Sequence, residues 1–303
     1  MEEQTALTEE DSPRPSPPAQ PASRSASVLA RTLEGAIILL CLGGLFLLDS
    51  LWATGYVTAA LSTVVAASAL YEFGRIAGRP GDSAVVSMML GGSVLVLAQW
   101  AGCAFHNVFP DPWTVTVALL CVGALGALGG RAVRGRIEGN AEAVSITVLG
   151  LIYVAVPLGL ALAIRVRWGL VGFITMLAVC KATDIGGYYA GTLIGGAKLS
   201  PRVSPAKTVA GAIGATVAAM ALAVALSSFE WSIMRPLAGL VYGLLLGPVA
   251  IAGDLAESAL KRQAGVKDSG NLLAGHGGVL DAVDDVLFAA PFSYLFFTLA
   301  ALQ

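Results

Sequence analysis

Long apolar segments recur along this chain, and they constrain its fold more strongly than any other feature of the sequence. Segments of about 15–22 mostly apolar residues alternate with short polar connections, and a helix of that length crosses the roughly 30 Å hydrocarbon core of a bilayer. Only 13% of the 303 residues are charged, whereas a soluble domain carries about 25%. The sequence therefore excludes an ordinary soluble enzyme and predicts an all-α polytopic membrane protein.

Nine segments of the sequence fit a membrane span. A very short link at Leu51 and Trp52 joins the first two, which predicts a tight helical hairpin. The uninterrupted apolar stretch of the first segment runs only from Gly35 to Leu48, so a re-entrant or interfacial segment is the alternative for it. We therefore expect about nine transmembrane helices, with approximate cores at 33–50, 53–71, 84–101, 113–130, 143–164, 168–189, 208–227, 236–253 and 284–302.

Lysine and arginine are distributed unevenly between the two sides of this predicted membrane bundle. With the N-terminus inside, the inside segments hold 14 of these cations and the outside segments hold three, Arg165, Arg167 and Arg235, while Lys181 falls within a span. Because cytoplasmic loops retain positive charge, this split predicts a cytoplasmic N-terminus and a C-terminus on the far side. The cytoplasmic membrane is the expected location.

The polar residues divide the chain into three parts. Residues 1–27 are rich in proline and serine and have little to bury, which predicts a disordered cytoplasmic leader. Residues 28–167 are expected to form about five N-terminal spans, and residues 168–303 about four C-terminal spans that carry the polar motifs in cytoplasmic loops. The four cysteines lie far apart and the chain has only two histidines, so a zinc site or a disulfide framework is not expected.

The larger of two polar motif segments covers residues 254–285. Asp254, Glu257, Ser258 and Lys261 are spaced at i, i+3, i+4 and i+7, which places them on one face of a helix. A solvated helix end is the alternative explanation for such a face.

The loop that follows places glycines, a histidine and several acids close together. Glycines at 275, 277 and 278 surround His276, so bare backbone N–H groups of this loop can approach a phosphate closely. Asp281 then shares a helical face with Asp284 or Asp285, and acids that enter an apolar span are costly unless they bind a cation or line a wet cavity. Metal-assisted chemistry on phosphates needs these components, because acids hold Mg²⁺ while cations and amides hold phosphate oxygens.

The smaller polar segment has a matching character. Lys181 and Asp184 lie one turn apart inside a predicted span, where a charged pair indicates a functional site; mutual neutralisation is the alternative. Ser204, Lys207 and Thr208 precede the next helix, and the positive N-terminal end of a helix is a natural anion site. A positively charged inside loop without a ligand is the alternative for these residues.

Together these residues resemble a known family. The run from Ser258 to Asp284 closely resembles the C-terminal motif of the phosphatidate cytidylyltransferases, also called CDP-diacylglycerol synthases: S-x-hydrophobic-K-R, four residues, K-D, then H-G-G, then D-R-x-D. Asp184–Tyr188 and Lys198–Thr208 are similar to the D-x-G-A-Y and K-L-x-P…S-P-x-K-T elements of that family, in the expected order. The resemblance covers residues 181–285, and the first five spans match only as generic apolar helices.

The resemblance implies nucleotidyl transfer in phospholipid biosynthesis, with residues 168–303 as the catalytic part. Phosphatidate and CTP would give CDP-diacylglycerol and pyrophosphate, with Mg²⁺ as the cofactor and a second cation as a further expectation. An already anionic phosphate would attack the α-phosphorus of CTP, so positioning and electrostatics would supply most of the catalysis. The expected partners are CTP, phosphatidate and membrane lipids, with a possible homodimer and no nucleic acid.

The resemblance also assigns roles to individual residues. Asp254 and Asp281 are the best metal ligands, and Asp284 is a weaker candidate. Lys261 and His276 complete the catalytic set, His276 in a positioning role. The expected substrate-binding residues are Ser204, Lys207, Thr208, Ser258, Arg262, Lys267, Asp268, Gly277, Gly278 and Asp184.

Three positions depart from the family pattern. Ala282 stands in place of arginine, Ala274 in place of proline, and Ala210 in place of glutamate or glutamine. The lost arginine puts the catalytic rate in doubt, although Arg262 or Lys267 could compensate. Alternatives are therefore a weakened homologue that binds lipid or nucleotide without turnover, and a CTP-dependent kinase of a polyprenol-like alcohol, which would need a base. A secondary transporter is a third, but the paired half-sequences of that class are not evident.

Overall fold

The computed structural model describes residues 44, 48–49, 54–78, 82–106, 112–135, 138–272 and 277–300. The predicted disordered leader lies outside the described residues, as does nearly all of the first predicted span. The helices are α1 (Tyr56–Ala77), α2 (Asp82–Ala104), α3 (Pro112–Val133), α4 (Asn140–Gly150), α5 (Val156–Arg167), α6 (Gly169–Leu193), α7 (Val209–Ser227), α8 (Pro236–Gln263) and α9 (Val279–Ala300).

Eight stretches within these described ranges are helical, long and apolar enough to cross a membrane. They confirm the second to ninth predicted spans one for one, because the hydrocarbon thickness sets the length of an apolar helix. The total of nine stays a prediction. Two helices extend past the approximate cores: α8 continues to Gln263, as the helical spacing of Asp254 and Lys261 predicts, and α9 already begins at Val279. In both cases charged residues extend a helix beyond its apolar part.

One span is made of two helices joined without a break. A π-helical turn, Leu151–Ala155, connects α4 to α5, and Pro157 follows it directly in the first turn of α5. Proline has no N–H to donate to the preceding turn, and a π-turn accommodates this local loss of the regular ladder. The combined run, Asn140–Arg167, is the most buried of the eight spans, and α5 packs against α1, α2 and α9 at the centre of the bundle.

Helices α6, α7 and α8 pack side by side through small residues. A Cβ atom added to Gly214 would lie 2.9 Å from the carbonyl oxygen of Gly186, and one added to Gly243 would lie 2.5 Å from Cα of Met220. Only glycine permits such close approach of two helix backbones. Close backbone packing therefore explains why these positions are glycine.

A two-stranded hairpin interrupts the all-helical architecture that the sequence predicts. Strand β1 (Lys198–Ser200) pairs antiparallel with β2 (Ser204–Thr208), with Lys198 opposite Thr208. Prolines at 201 and 205 disfavour a helix here. Thr208 ends β2 and caps α7, since its hydroxyl oxygen accepts a hydrogen bond from the Gly211 N–H at 3.0 Å.

Successive spans alternate in direction, so the α1–α2, α3–α4, α6–α7 and α8–α9 connections share one end of the bundle. We call this the polar end, because both polar segments of the sequence lie there. At the opposite end, the buried Asp49 carboxylate pairs with Arg165 at 3.3 Å and accepts the Val57 N–H at 2.8 Å. Asp49 and Arg165 therefore form a buried ion pair that is separate from the polar end.

Candidate functional site

A cavity of about 420 Å³ opens at the polar end between α6, α7, α8 and the hairpin. Its walls include four residues that the sequence predicts to be functional: Asp184, Lys207, Thr208 and Asp254. The remaining lining residues are Thr183, Gly187, Tyr188, Gly191, Thr192, Leu199, Ala206, Gly211, Ala212, Ala215, Ala250 and Ile251.

An ion pair between Lys207 of β2 and Asp254 of α8 links two walls of the cavity. Both side chains are partly exposed, at 25% and 33%, so each can also reach a ligand. Ser258 lies one turn along α8 with Oγ 3.5 Å from Asp254 Oδ1. The hairpin, which the sequence did not predict, therefore positions the predicted Lys207.

Beyond the cavity, Lys261 of α8 bridges two carboxylates. Its Nζ lies 2.7 Å from Glu257 Oε2 and 2.7 Å from Asp281 Oδ1. Glu257 is fully buried and Lys261 is 14% exposed, so this is a mostly dry cluster. The structure thus joins the predicted Lys261 and Asp281 directly, and it adds Glu257, which the spacing placed on the same face.

Asp281 also caps its own helix. Its Oδ2 accepts the backbone N–H groups of Gly278 at 2.7 Å and Ser269 at 3.0 Å. Asp281 is the third residue of α9 and reaches back to the residue before the helix, as in a capping box. Gly277 has φ +88°, and a Cβ there would lie 2.6 Å from Asp281 Oδ2, so the turn before α9 requires glycine.

The glycine loop is used differently from the sequence-based expectation in one respect. The Gly278 N–H was expected to face a phosphate, but it donates to Asp281. Gly275 and His276 lie outside the described residues, so the positioning role of His276 stays a prediction. Lys267 and Asp268 are exposed in the same loop.

The remaining predicted residues lie on α8, on the hairpin and on α9. Arg262 is exposed on α8, with its Nε 3.4 Å from the carbonyl oxygen of Val203 in the hairpin. Ser204 begins β2 and is partly buried. Asp284 lies near the start of α9, where its Oδ1 accepts the Asp285 N–H at 2.7 Å.

The donor atoms near Asp254 suit a magnesium ion that is shared with substrate. The Asp284 carboxylate interacts electrostatically with those of Asp254 and Glu257, and Glu257 Oε1 is buried without a hydrogen-bond partner among the described residues. Within the described ranges, three or more His, Cys, Asp or Glu side chains nowhere converge into a complete metal cage. Mg²⁺ usually takes one or two carboxylates and fills its octahedron with water and phosphates, so this donor set fits Mg²⁺.

Lys181 has a stronger partner than the sequence indicates. Its Nζ lies 2.8 Å from Asp285 Oδ2 and 3.6 Å from Asp184. Asp285 is only 2% exposed, and the contact ties α6 to α9. The predicted Lys181–Asp184 pair is therefore present, and Asp285 joins it.

One residue near the motif loop was missed altogether by the sequence analysis. Glu72 of α1 is 2% exposed and accepts hydrogen bonds from the Ser269 hydroxyl and from the Val279 and Leu280 N–H groups. An acidic residue near the end of a mostly apolar helix was the available signal. Its partners could not be read from the sequence.

Fold and site together define a polytopic helical membrane protein whose ionisable side chains converge on a cavity at one end of the bundle. The chain belongs to the cytidylyltransferase family, which it matches over residues 34–300. The resemblance inferred from the motifs is thereby confirmed.

Several curated relatives bear the name phosphatidate cytidylyltransferase. One from Brucella suis biovar 1 is 46% identical over 134 residues, which cover 43% of this chain and 47% of the relative. One from Bacillus subtilis is 41% identical over 133 residues, covering 44% and 49%. One from Synechocystis is 39% identical over 158 residues, covering 47% and 53%. The chain thus spans about half the length of the curated relatives it matches.

Proposed function

We propose that this chain is a CTP:phosphatidate cytidylyltransferase, which forms CDP-diacylglycerol and pyrophosphate for phospholipid biosynthesis. One observation carries the proposal: Lys207 and Thr208 of one family element line a single cavity with Asp254, beside the Lys261–Asp281 pair of the C-terminal motif. The names of the relatives support the same reaction.

In the proposed reaction a phosphate oxygen of phosphatidate attacks the α-phosphorus of CTP. The bond from that phosphorus to the bridging oxygen breaks, and pyrophosphate leaves. Since the nucleophile is already an anion, the protein contributes orientation and charge compensation and needs no general base. This distinguishes the reaction from lipid kinase chemistry, in which a hydroxyl group must lose its proton.

Lys207 and Asp254 would separate when substrates bind. In the structure they form an ion pair with each other. Phosphate oxygens at the N-terminus of α7 would attract the Lys207 ammonium, and the Asp254 carboxylate would turn to a cation. The helix end and its Thr208 cap favour an anion at this position.

Asp254 and Asp281 would hold Mg²⁺, with Asp284 as the weaker third candidate. Bound Mg²⁺ neutralises the triphosphate and the charge that develops on pyrophosphate. Lys261 and the Gly278 N–H hold Asp281 in place, so we assign it the additional task of fixing the first turn of α9. A second cation stays a prediction.

We further propose that the polar end faces the cytoplasm. Most of the lysines and arginines lie at this end of the predicted topology, as expected for cytoplasmic loops, and CTP is a soluble cytoplasmic nucleotide. The acyl chains of phosphatidate would stay between helices while its headgroup reaches the cavity. Membrane lipids are thus expected partners, and a homodimer stays a prediction.

A weakened homologue is the second candidate, and Ala282 is the observation that favours it. The motif has arginine at this position, and the Ala282 side chain is exposed. Such a protein would bind CTP or phosphatidate without turnover.

The deciding assay supplies labelled CTP, Mg²⁺ and phosphatidate in detergent micelles. We expect CDP-diacylglycerol from the wild-type protein and none from Asp254→Ala or Asp281→Ala. Folded wild-type protein that binds both substrates without transfer would support the weakened homologue. Transfer of a single phosphate to a polyprenol-like alcohol would support the kinase instead.

A further inference from the structure

Glu72 connects the N-terminal helices to the motif loop. It lies on α1, and its carboxylate is almost fully buried, at 2% exposure. Oε1 accepts the Val279 N–H at 3.0 Å, while Oε2 accepts the Leu280 N–H at 2.8 Å and the Ser269 hydroxyl at 3.0 Å. All three donors come from the other end of the chain, so only the tertiary fold creates this contact.

These hydrogen bonds satisfy the start of α9. The first N–H groups of a helix have no partner inside the helix, and the same end carries a positive partial charge. Glu72 takes the first two N–H groups of α9, at Val279 and Leu280, and Asp281 takes the N–H of the preceding Gly278. Two carboxylates therefore hold three successive N–H groups, and the end of α9 is fixed against α1.

Two motif glycines make room for Glu72. A Cβ added to Gly270 would lie 2.8 Å from Glu72 Cδ, and one added to Gly278 would lie 2.7 Å from the same atom. Any side chain at either position would displace the carboxylate. The loop backbone is thus shaped around Glu72.

Ser269 joins Glu72 to the proposed catalytic centre. Its hydroxyl donates to Glu72, and its backbone N–H donates to Asp281. Asp281 in turn holds Lys261 at 2.7 Å. A continuous set of hydrogen bonds therefore runs from α1 through the loop to α8.

We propose that Glu72 is a positioning residue of the active site: by anchoring Ser269 and the first turn of α9, it sets the placement of Asp281 and Asp284. This inference rests on the proposed function, because the reaction is what that placement serves. It also assigns part of the site to the N-terminal helices, whereas the sequence assigned catalysis to residues 168–303.

The test compares the wild-type protein with Glu72→Gln, Glu72→Ala and Ser269→Ala. Glu142→Gln is the matched control, since it removes a carboxylate of the same size from an exposed position at the same end of the bundle. Two properties are measured: kcat and KM for CTP, and hydrogen–deuterium exchange of the peptide 277–285 without metal or substrate.

For Glu72→Gln we expect kcat to fall about 10- to 100-fold, as for other residues that orient ligands of a site, with a smaller change in KM. Exchange at the Val279 and Leu280 amides should be faster, because glutamine keeps only one of the two acceptor oxygens that hold them. Ser269→Ala should reduce kcat as well, and its effect should not add to that of Glu72→Gln, since both act through the same contact. The control should match the wild type in both measurements.

The outcomes separate this inference from the proposed function. Absence of transfer by wild-type protein would count against the function, and the exchange measurement would still test the anchor. An active wild type with unchanged kcat and unchanged exchange in folded Glu72→Gln would overturn the inference. A rise in KM alone would also overturn it. If Glu72→Ala does not fold, Glu72→Gln and Ser269→Ala decide the question.

Discussion

Lys261 on α8 and Asp281 on α9 meet across the loop that separates their helices, with Nζ 2.7 Å from Oδ1. The same ammonium lies 2.7 Å from Oε2 of Glu257, a fully buried carboxylate on its own helix. One cation thus balances two carboxylates that would otherwise repel each other. Lys261 thereby links α8 to the first turn of α9.

Replacing Lys261 with methionine should destabilise the protein and abolish transfer. It would leave two carboxylates in a mostly dry environment, and breaking a buried ion pair costs about 3–5 kcal/mol. Thermal unfolding in detergent measures the loss. The double variant Lys261→Met with Glu257→Gln should recover part of the stability but not the activity. Equal stability of the wild type and Lys261→Met would contradict this account.

Asp254→Asn should abolish activity while leaving stability nearly unchanged. Its partner Lys207 is partly exposed, as is Asp254 itself, and such pairs contribute at most about 1 kcal/mol. Transfer rate and melting temperature are measured on the same preparation. Glu230→Gln, an exposed acid at the opposite end of the bundle, is the control and should behave as the wild type.

Removal of divalent metal should stop the reaction, and added Mg²⁺ should restore it. Asp284→Asn should raise the Mg²⁺ concentration needed for half-maximal rate, because one of the proposed oxygen ligands is weakened. The measurement is a Mg²⁺ titration of the initial rate. An unchanged titration curve for Asp284→Asn would remove this residue from the proposed ligand set.

Filling the cavity should weaken substrate binding without unfolding the helices. Ala212 lines the cavity, and phenylalanine there would occupy part of its volume, so we expect a higher KM for at least one substrate. Ala221→Phe is the matched control, because Ala221 lies on the same helix with its side chain exposed. The idea fails if the two variants have the same KM values as the wild type.

Ala282→Arg tests the hypothesis that the protein is a weakened homologue. The position is exposed, so arginine fits without repacking the core. If the protein is a competent enzyme as proposed, the rate should change only a few-fold. A large gain of transfer activity would show instead that the natural alanine limits catalysis.

Parts of the architecture follow from the sequence directly. The spans corresponding to α1 through α9 were predicted from apolar length, because bilayer thickness imposes one helix length on every crossing. Lys261 was placed on the face of Asp254 by helical spacing alone. Local periodicity suffices for such features, since the contacting residues lie within two turns of each other.

Contacts between distant segments were not predictable in this way. The hairpin at 198–208 was expected to be a loop, and only its backbone pairing shows how Lys207 reaches Asp254. Lys181 was paired with Asp184 from spacing, yet its shorter contact is with Asp285 on another helix. In each case the partner lies too far along the chain for periodicity to identify it.

The sequence by itself determined a helical membrane protein with its charges gathered in two segments and with the motifs of one family. Only the tertiary structure decided which polar groups of distant segments touch, and Glu72 shows why. A carboxylate can be buried in an apolar helix only where donors satisfy it, and its donors lie 197 to 208 residues further along the chain. Helix packing brings the carboxylate and its donors together, so no local sequence pattern predicts the contact.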